Sequence, residues 1–526
     1  MKTPLILLAV LTGALGRAQA TPAKLFDAPG EPRPAGAIDR AVFARLKKRG
    51  IQPARVCSDA VFVRRVYLDV LGTLPTGKEA LAFLRDGSAD KRRVLIDGVL
   101  KRKEFPDYWA MKWGDMLRVK AEFPINLWPN ATQAYYLWIH KSLRDNVPYD
   151  RLARELLTSS GSNFREPPVN FYRALQGKEP RALAQAAALT FLGARAGKWK
   201  KNRLDGLAAF FAQVGFKKTQ EWKEEVVYFD SVRATRQAAD GTWGRAVFPD
   251  GQAVRLTGDR DPREVFADWL ITPKNPYFAR NLVNRAWCWL LGRGIIHEPD
   301  DIRPDNPPSN PELLALLEKE FVAAKYDFKA LFRLILNSTT YQLSSVPRSD
   351  KPEAAALFAQ YPVRRLEAEV LVDALCQITG TTEQYSSNIP EPFTFIPESH
   401  RSIALPDGSI TSSFLEMFGR PPRDTGMASE RTNRMTPAQR LHLLNSSHVR
   451  EKIERSRKLR TLMRFTRGRP RQNVHGLYLA ILSRLPTEEE VKIVGQYAKS
   501  PETKSFTALV DLAWALVNSS EFLYRH

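Results

Sequence analysis

Asn281, Asn284 and Arg285 fall at i, i+3 and i+4 within FARNLVNRAWCWLLGRG (residues 278–294), so they share one face of a helix. Arg280 stands beside them, and Arg293 lies between Gly292 and Gly294, the pair expected to end that helix. A polar loop follows, with Glu298, Asp300, Asp301, Arg303 and Asp305. A second stretch, FGRPPRDTGMASERTNR (418–434), carries Arg420, Arg423, Glu430 and Arg431. Guanidinium groups grip carboxylate, sulfate or phosphate through paired hydrogen bonds. A carboxylate among them can act as general acid or base. The expectation is one cleft formed by Arg280, Asn284, Arg285, Arg293, Asp300, Asp301, Arg303, Arg420, Arg423, Glu430 and Arg431. The competing reading makes the loop acids structural staples for Arg280, Arg285, Arg293 and Arg303. The acids do not follow a calcium-loop spacing, so no metal is expected there. No side chain is assigned a catalytic role.

Four helices should position these groups. Asp261 caps a helix opening at Pro262, with Glu264 completing a capping box. Asn310 and Pro311 open a helix burying Leu313, Leu314, Leu317 and Phe321, and Asp327 caps another burying Phe328, Leu331, Phe332 and Ile335. Upstream, Tyr108, Trp109, Trp113, Trp128, Tyr135, Tyr136 and Trp138 crowd a short interval. At helical spacing such a series is core, with carbohydrate stacking as the rival reading. The fold expected is mainly α: a multi-helical, two-lobed body with a small β-hairpin insertion near 225–257, where Asp250-Gly251 marks a hairpin. The expected organisation is a signal peptide (1–20), a flexible leader (21–37), an N-terminal helical domain (38–224), a β insertion or linker (225–260) and a C-terminal helical domain (261–526).

Lys2, the apolar run Leu5–Leu15 and Ala18-Gln19-Ala20 have the form of a secretory signal cleaved after Ala20. Its apolar run is too short to span a bilayer, and no later stretch is long and uncharged enough to do so. The chain is therefore expected in the periplasm or secreted. Its 526 residues carry a formal charge of +22, which points to anionic partners. The basic residues are dispersed and no nucleic-acid module is present, so nucleic acid is not expected. Cys57, Cys288 and Cys376 are too few and too far apart for a disulfide framework or a zinc site. No CxxCH, GxSxG, HxH or HExxH occurs, and no cofactor is expected.

An internal repeat is visible. VYLDVL followed by LPT (66–76) matches LYLAIL followed by LPT (477–487), each with Glu three residues after the Thr. Each is followed by a helix and then a Glu-Phe pair, Glu104-Phe105 and Glu521-Phe522. The reading is two copies of one helical hairpin unit.

The segments FVRRVYLDVLGTLPT, TFLGARAG and GLAAFFAQVGF resemble the planctomycete-type, cytochrome-associated domain of unknown function DUF1549. FARNLVNRAWCWLLGRGI, DDIRPDNPPSNPELL, NSTTYQLSS and FGRPPRDT resemble its C-terminal companion, DUF1553. The resemblance covers nearly the whole chain after the signal, and the family has no settled activity. Many relatives carry a CxxCH-type motif between the FLG and AFF segments, which implies haem or metal. Here Ala194-Arg195-Ala196-Gly197-Lys198 holds that place. Relatives also tend to carry cysteines after FGRP, where this chain has Gly426-Met427-Ala428. The expected function is a binding or scaffold protein for an anionic ligand such as an acidic glycan, or for an exported partner protein. One alternative is a hydrolase or lyase on acidic or sulfated polysaccharide, using Asp300, Asp301 or Glu430. Another is a non-haem partner of a c-type cytochrome system.

Overall fold

The computed structural model describes residues 25–526 apart from 242, 244, 395, 397, 398, 466–469 and 501–504. The expected signal segment 1–20 and the start of the leader lie outside the described residues. Among the described residues the chain is mainly α, and its strands are short and antiparallel. Local signals account for many of the helix ends. Ser58 accepts the Val61 amide to cap Asp59–Leu71, which stops at Gly72 in the left-handed region, φ 60. A Cβ on Gly72 would collide with the Tyr108 ring, so that close approach requires glycine. Thr76 and Glu79 form the reciprocal capping box of Gly77–Arg85.

The repeat has the same helix order at both ends of the chain. Asp59–Leu71, Gly77–Arg85, Lys91–Val99 and Glu104–Met116 parallel Pro470–Leu482, Glu488–Tyr497, Ser505–Val517 and Ser520–Leu523. Ser483 takes the place of Gly72, also left-handed at φ 61, and Thr487 with Glu490 repeats the capping box. The two copies pack together. A Cβ on Gly77 would sit 3.4 Å from Leu479, and Arg64 donates to the Ile481 and Phe522 carbonyls at 2.8 and 2.9 Å. Each copy is tied by one arginine on two glutamates. Arg102 meets Glu79 at 2.5 Å and Glu104 at 2.7 Å, while Arg484 meets Glu490 at 2.8 Å and Glu521 at 2.6 Å. Each guanidinium also lies over a tyrosine, Tyr67 at 5.5 Å and Tyr478 at 5.1 Å. The arginines come from different sequence positions, so what the copies share is the neutralised carboxylate pair.

The β region is more mixed than its alternation suggests. A three-stranded sheet, in the order β1 (Gly161–Ser162), β3 (Glu225–Phe229), β2 (Val214–Lys218), starts before the expected insertion. A helix, Ser231–Asp240, then interrupts it, because Asp230 caps at the Arg233 amide and the run beyond carries helix formers. Asp250-Gly251 does turn a hairpin, between β4 (Ala246–Val247) and β5 (Ala253–Val254). Asp261 caps Pro262–Leu270 through the Arg263 amide, but the expected capping box is not made, and Glu264 turns to Arg260 at 3.5 Å.

Pro311–Ala323 and Phe328–Leu336 are capped by Asn310 and Asp327 and bury the residues expected of them. The aromatic series is core: Tyr108, Trp109, Trp113, Tyr135 and Tyr136 are buried, and Trp128 and Trp138 partly so. Trp109 packs 4.5 Å from Phe332 and 5.6 Å from Phe328, joining the two halves of the chain in one core. Among the described residues no helix is long and apolar enough to cross a membrane.

Candidate functional site

A cleft of about 270 Å³ lies between Glu104–Met116, Phe278–Leu291, the segment before Ala368–Thr379, and residues 421–433. Its charged lining is Lys112, Asp115, Arg285, Arg364, Glu367 and Arg431, with Cys288 in the wall. The C-terminal end of the chain braces Arg364 and Glu367 of the cleft lining from behind. β7 (Tyr524–Arg525) pairs antiparallel with β6 (Arg364–Arg365), and Arg364 stands opposite Arg525. That register delivers both guanidiniums to Asp69, at 2.9 and 3.0 Å, where Tyr341 and Tyr361 also donate at 2.8 Å.

Glu367 accepts from Tyr108 at 2.8 Å and from Arg525 at 2.7 Å, and pairs closely with Lys112. Burial alone would raise the Glu367 pKa, but Arg525, Lys112 and Arg431 hold it well below the usual carboxylate range. Arg431 makes a fork to Glu369 at 2.6 and 2.9 Å and reaches Asp115 at 2.7 Å. Asp115 also receives Arg423 at 2.9 Å, and Arg420 lies 3.7 Å from Glu369. Seven cations (Lys112, Arg285, Arg364, Arg420, Arg423, Arg431, Arg525) thus meet five carboxylates (Asp69, Asp115, Asp300, Glu367, Glu369). Burial lowers Lys112 to about 8; Glu367 opposes the shift, while Arg431 and Arg525 add to it. Burial also lowers Arg420 to about 10, with Arg423 adding to the shift. The Cys288 thiol is pushed up to about 11 by burial, against the pull of Arg364.

Arg285 ties this cleft to the N-terminal half. It pairs with Asp300 at 2.6 Å and donates to the Leu189 carbonyl at 3.0 Å, while Asn281 donates to the Thr190 carbonyl at 2.7 Å. Leu189 and Thr190 belong to a π-helical turn, Ala188–Leu192, whose wider winding leaves carbonyls for outside donors.

The sequence-derived set divides. Arg285 and Arg431 line the cleft; Asp300, Arg420 and Arg423 stand directly behind it. Glu430 is not among the lining residues; it accepts the Thr425 amide at 2.8 Å, burial raises its pKa, and one buried oxygen has no hydrogen-bond partner. Asn284 is fully buried and clamps the Ile296 amide and carbonyl, both at 2.9 Å, so it shapes the loop and is closed to a ligand. Arg280 leaves the group for Glu318 at 2.7 Å on the next helix. Arg303 sits between Asp301 and Asp305 on the exposed loop, and Arg293 does not line the cleft. Staples to the loop acids therefore hold for Arg285 and Arg303 but not for Arg280 or, among the described residues, Arg293. Sequence reading missed Lys112, Asp115, Glu367, Glu369, Arg364 and Arg525. The available signal was Glu369 and Asp373, two acids four residues apart in the otherwise apolar helix AEVLVDALCQIT.

Two family models match the chain: PSCyt2, a protein of unknown function (DUF1549), over residues 37–209, and PSD1, a protein of unknown function (DUF1553), over residues 262–498. The chain belongs to the two-domain DUF1549–DUF1553 family. The cleft is the seam between these parts: Lys112 and Asp115 come from the PSCyt2 part, Arg285, Glu367 and Arg431 from the PSD1 part. No curated protein and no solved structure matches the chain. The haem or metal that relatives imply at 194–198 does not fit this PSCyt2 part. Ala194 and Ala196 are buried, and no thiol or imidazole stands in the segment to hold an iron. Among the described residues no three His, Cys, Asp or Glu side chains gather as a metal site.

Proposed function

We propose that this chain is an exported binding protein whose seam cleft takes an anionic group, a sulfate or carboxylate of an acidic glycan. The observation that carries the reading is the excess of cationic over anionic side chains in a buried cleft. Each lining cation already has a carboxylate partner, but positive charge remains in surplus, and an entering anion offsets that surplus. Arg285, Arg364 and Arg431 line the cleft; the Arg431 donors are taken by Asp115 and Glu369, so it supplies charge, while Arg285 and Arg364 present guanidiniums of the kind that sulfate and carboxylate accept. The export part of the reading rests on Lys2, Leu5–Leu15 and Ala18-Gln19-Ala20.

Titration calorimetry with sulfated and uronate oligosaccharides, and with their desulfated or carboxyl-reduced forms, tests the reading. Binding of the charged forms that weakens with salt, with none of the neutral forms, is expected. Equal binding of both forms would sink it. A hydrolase or lyase reading is favoured by one observation, the raised pKa and unpartnered oxygen of Glu430 beside Arg431. New reducing ends or unsaturated products on incubation, lost in Glu430→Gln, would select that alternative.

A further inference from the structure

Trp222 is 67% exposed and Phe393 55% exposed, unusual for side chains of this size. They flank the half-buried Trp128. The Trp128 ring lies 6.4 Å from Trp222 at 85° and 5.4 Å from Phe393 at 56°. Lys223 Nζ sits 5.9 Å from the Trp128 ring centre and 5.5 Å from that of Trp222. These residues come from three segments: the strap 117–128, the turn between β2 and β3, and the loop 386–394. We infer that Trp128, Trp222 and Phe393, with Lys223 among them, are a stacking platform for the sugar rings of an acidic glycan chain. The inference rests on the binding reading above and names a second contact of the same ligand class.

The platform is built at a cost. Trp128 has φ 72 and ψ 151, a region almost reserved for glycine, and Lys223 has φ 63. Such a conformation is strained for a residue with a Cβ and persists only where its surroundings hold it. The strap is pinned to keep it so: the Trp128 amide donates to Ala121 at 3.2 Å, and Glu122 accepts the Asn388 amide and side chain, both at 3.1 Å. Aromatic faces suit the C–H faces of sugar rings, and the surrounding charge selects acidic ones. Lys217 and Lys218 are exposed on β2 beside this turn and join Lys223; of the turn's acids, Glu224 is occupied by the Ser162 and Thr219 hydroxyls and Glu221 is exposed, leaving three lysines to that one carboxylate. The strap leaves the helix that bears Lys112 and Asp115 and is fixed by Lys120 to Asp424 at 2.7 Å. The continuous stretch 104–128 therefore carries a wall of the seam cleft at one end and the central ring of the platform, Trp128, at the other.

The test compares the full chain with Trp222→Ala and Phe393→Ala, two exposed positions where folding is not at stake. Probes are a sulfated hexasaccharide, inorganic sulfate, and vesicles containing phosphatidylglycerol. The expected result is hexasaccharide binding weakened roughly tenfold by either change, with inorganic sulfate unaffected and tryptophan fluorescence altered by the hexasaccharide. Unchanged hexasaccharide affinity in both variants overturns the platform. So does vesicle binding that needs Trp222 without any glycan binding, which would make the patch a membrane contact. Trp222-dependent hexasaccharide binding with no sulfate binding would instead retain the platform and remove the cleft.

Discussion

Asp300 lies 2.6 Å from the Arg285 guanidinium, and its other oxygen accepts the Ala428 amide at 2.6 Å. Asp300 is fully buried and Arg285 is 3% exposed. The pair thus fastens the polar loop to the central helix on one side and to the arginine-rich segment on the other.

Removing one partner should cost far more than removing both. Asp300→Ala leaves Arg285 charged and buried, and a loss of about 3–5 kcal/mol in urea unfolding is expected. The double change Arg285→Met with Asp300→Leu should lose less. A cost below about 1 kcal/mol for Asp300→Ala would show that the joint is dispensable.

Lys112 gives the cleft a pH dependence near neutrality. It titrates near 8 in the folded chain against an ordinary 10.5. Between those values the unfolded chain holds the extra proton, so this group's contribution to stability rises with pH across the window. Anion affinity should move the opposite way and fall as pH rises through 8, because the cleft loses a cation. Calorimetry from pH 6.5 to 9.5 checks this, and Lys112→Arg should flatten the profile.

Glu369 sets an acid limit. Burial opposes its ionisation, but Arg431 holds its pKa down to about 2 from an ordinary 4.5. The stability it contributes is complete above 4.5 and is lost as pH falls toward 2; it amounts to roughly 3 kcal/mol. Denaturant midpoints measured over that range should fall for the native chain and change less for Glu369→Gln.

The two repeat knots should differ in worth. The Arg484 side chain is 8% exposed and Arg102 33%. Arg484→Met strands Glu490 and Glu521 together and should cost about 3 kcal/mol or more, whereas Arg102→Met, with water at hand, should cost about 1 kcal/mol. Equal losses in thermal or urea unfolding would contradict the difference in burial.

Much of the fold was legible because its signals are local. Ser58, Thr76, Asn310, Asp327, Thr436 and Thr487 each cap a helix with their own side chain, and the 3.6-residue spacing of Leu and Phe marks the buried faces. The Ser231–Asp240 helix escaped because flanking strand-like alternation masked it. Half of the candidate site escaped for a different reason. Asp69, Lys112, Glu367 and Arg525 look like ordinary charges in their own segments, and nothing nearby says they will be buried together.

The sequence by itself determined the helical class, the repeated hairpin and the membership of both domains, since caps, periodicity and motif order reside in neighbouring residues. Only the tertiary structure decided which arginines gather. Asp69 and Arg525 stand 456 residues apart and meet at 3.0 Å because β7 adds to β6 at the seam. Such long-range pairing is set by packing of the whole core, which no local pattern encodes.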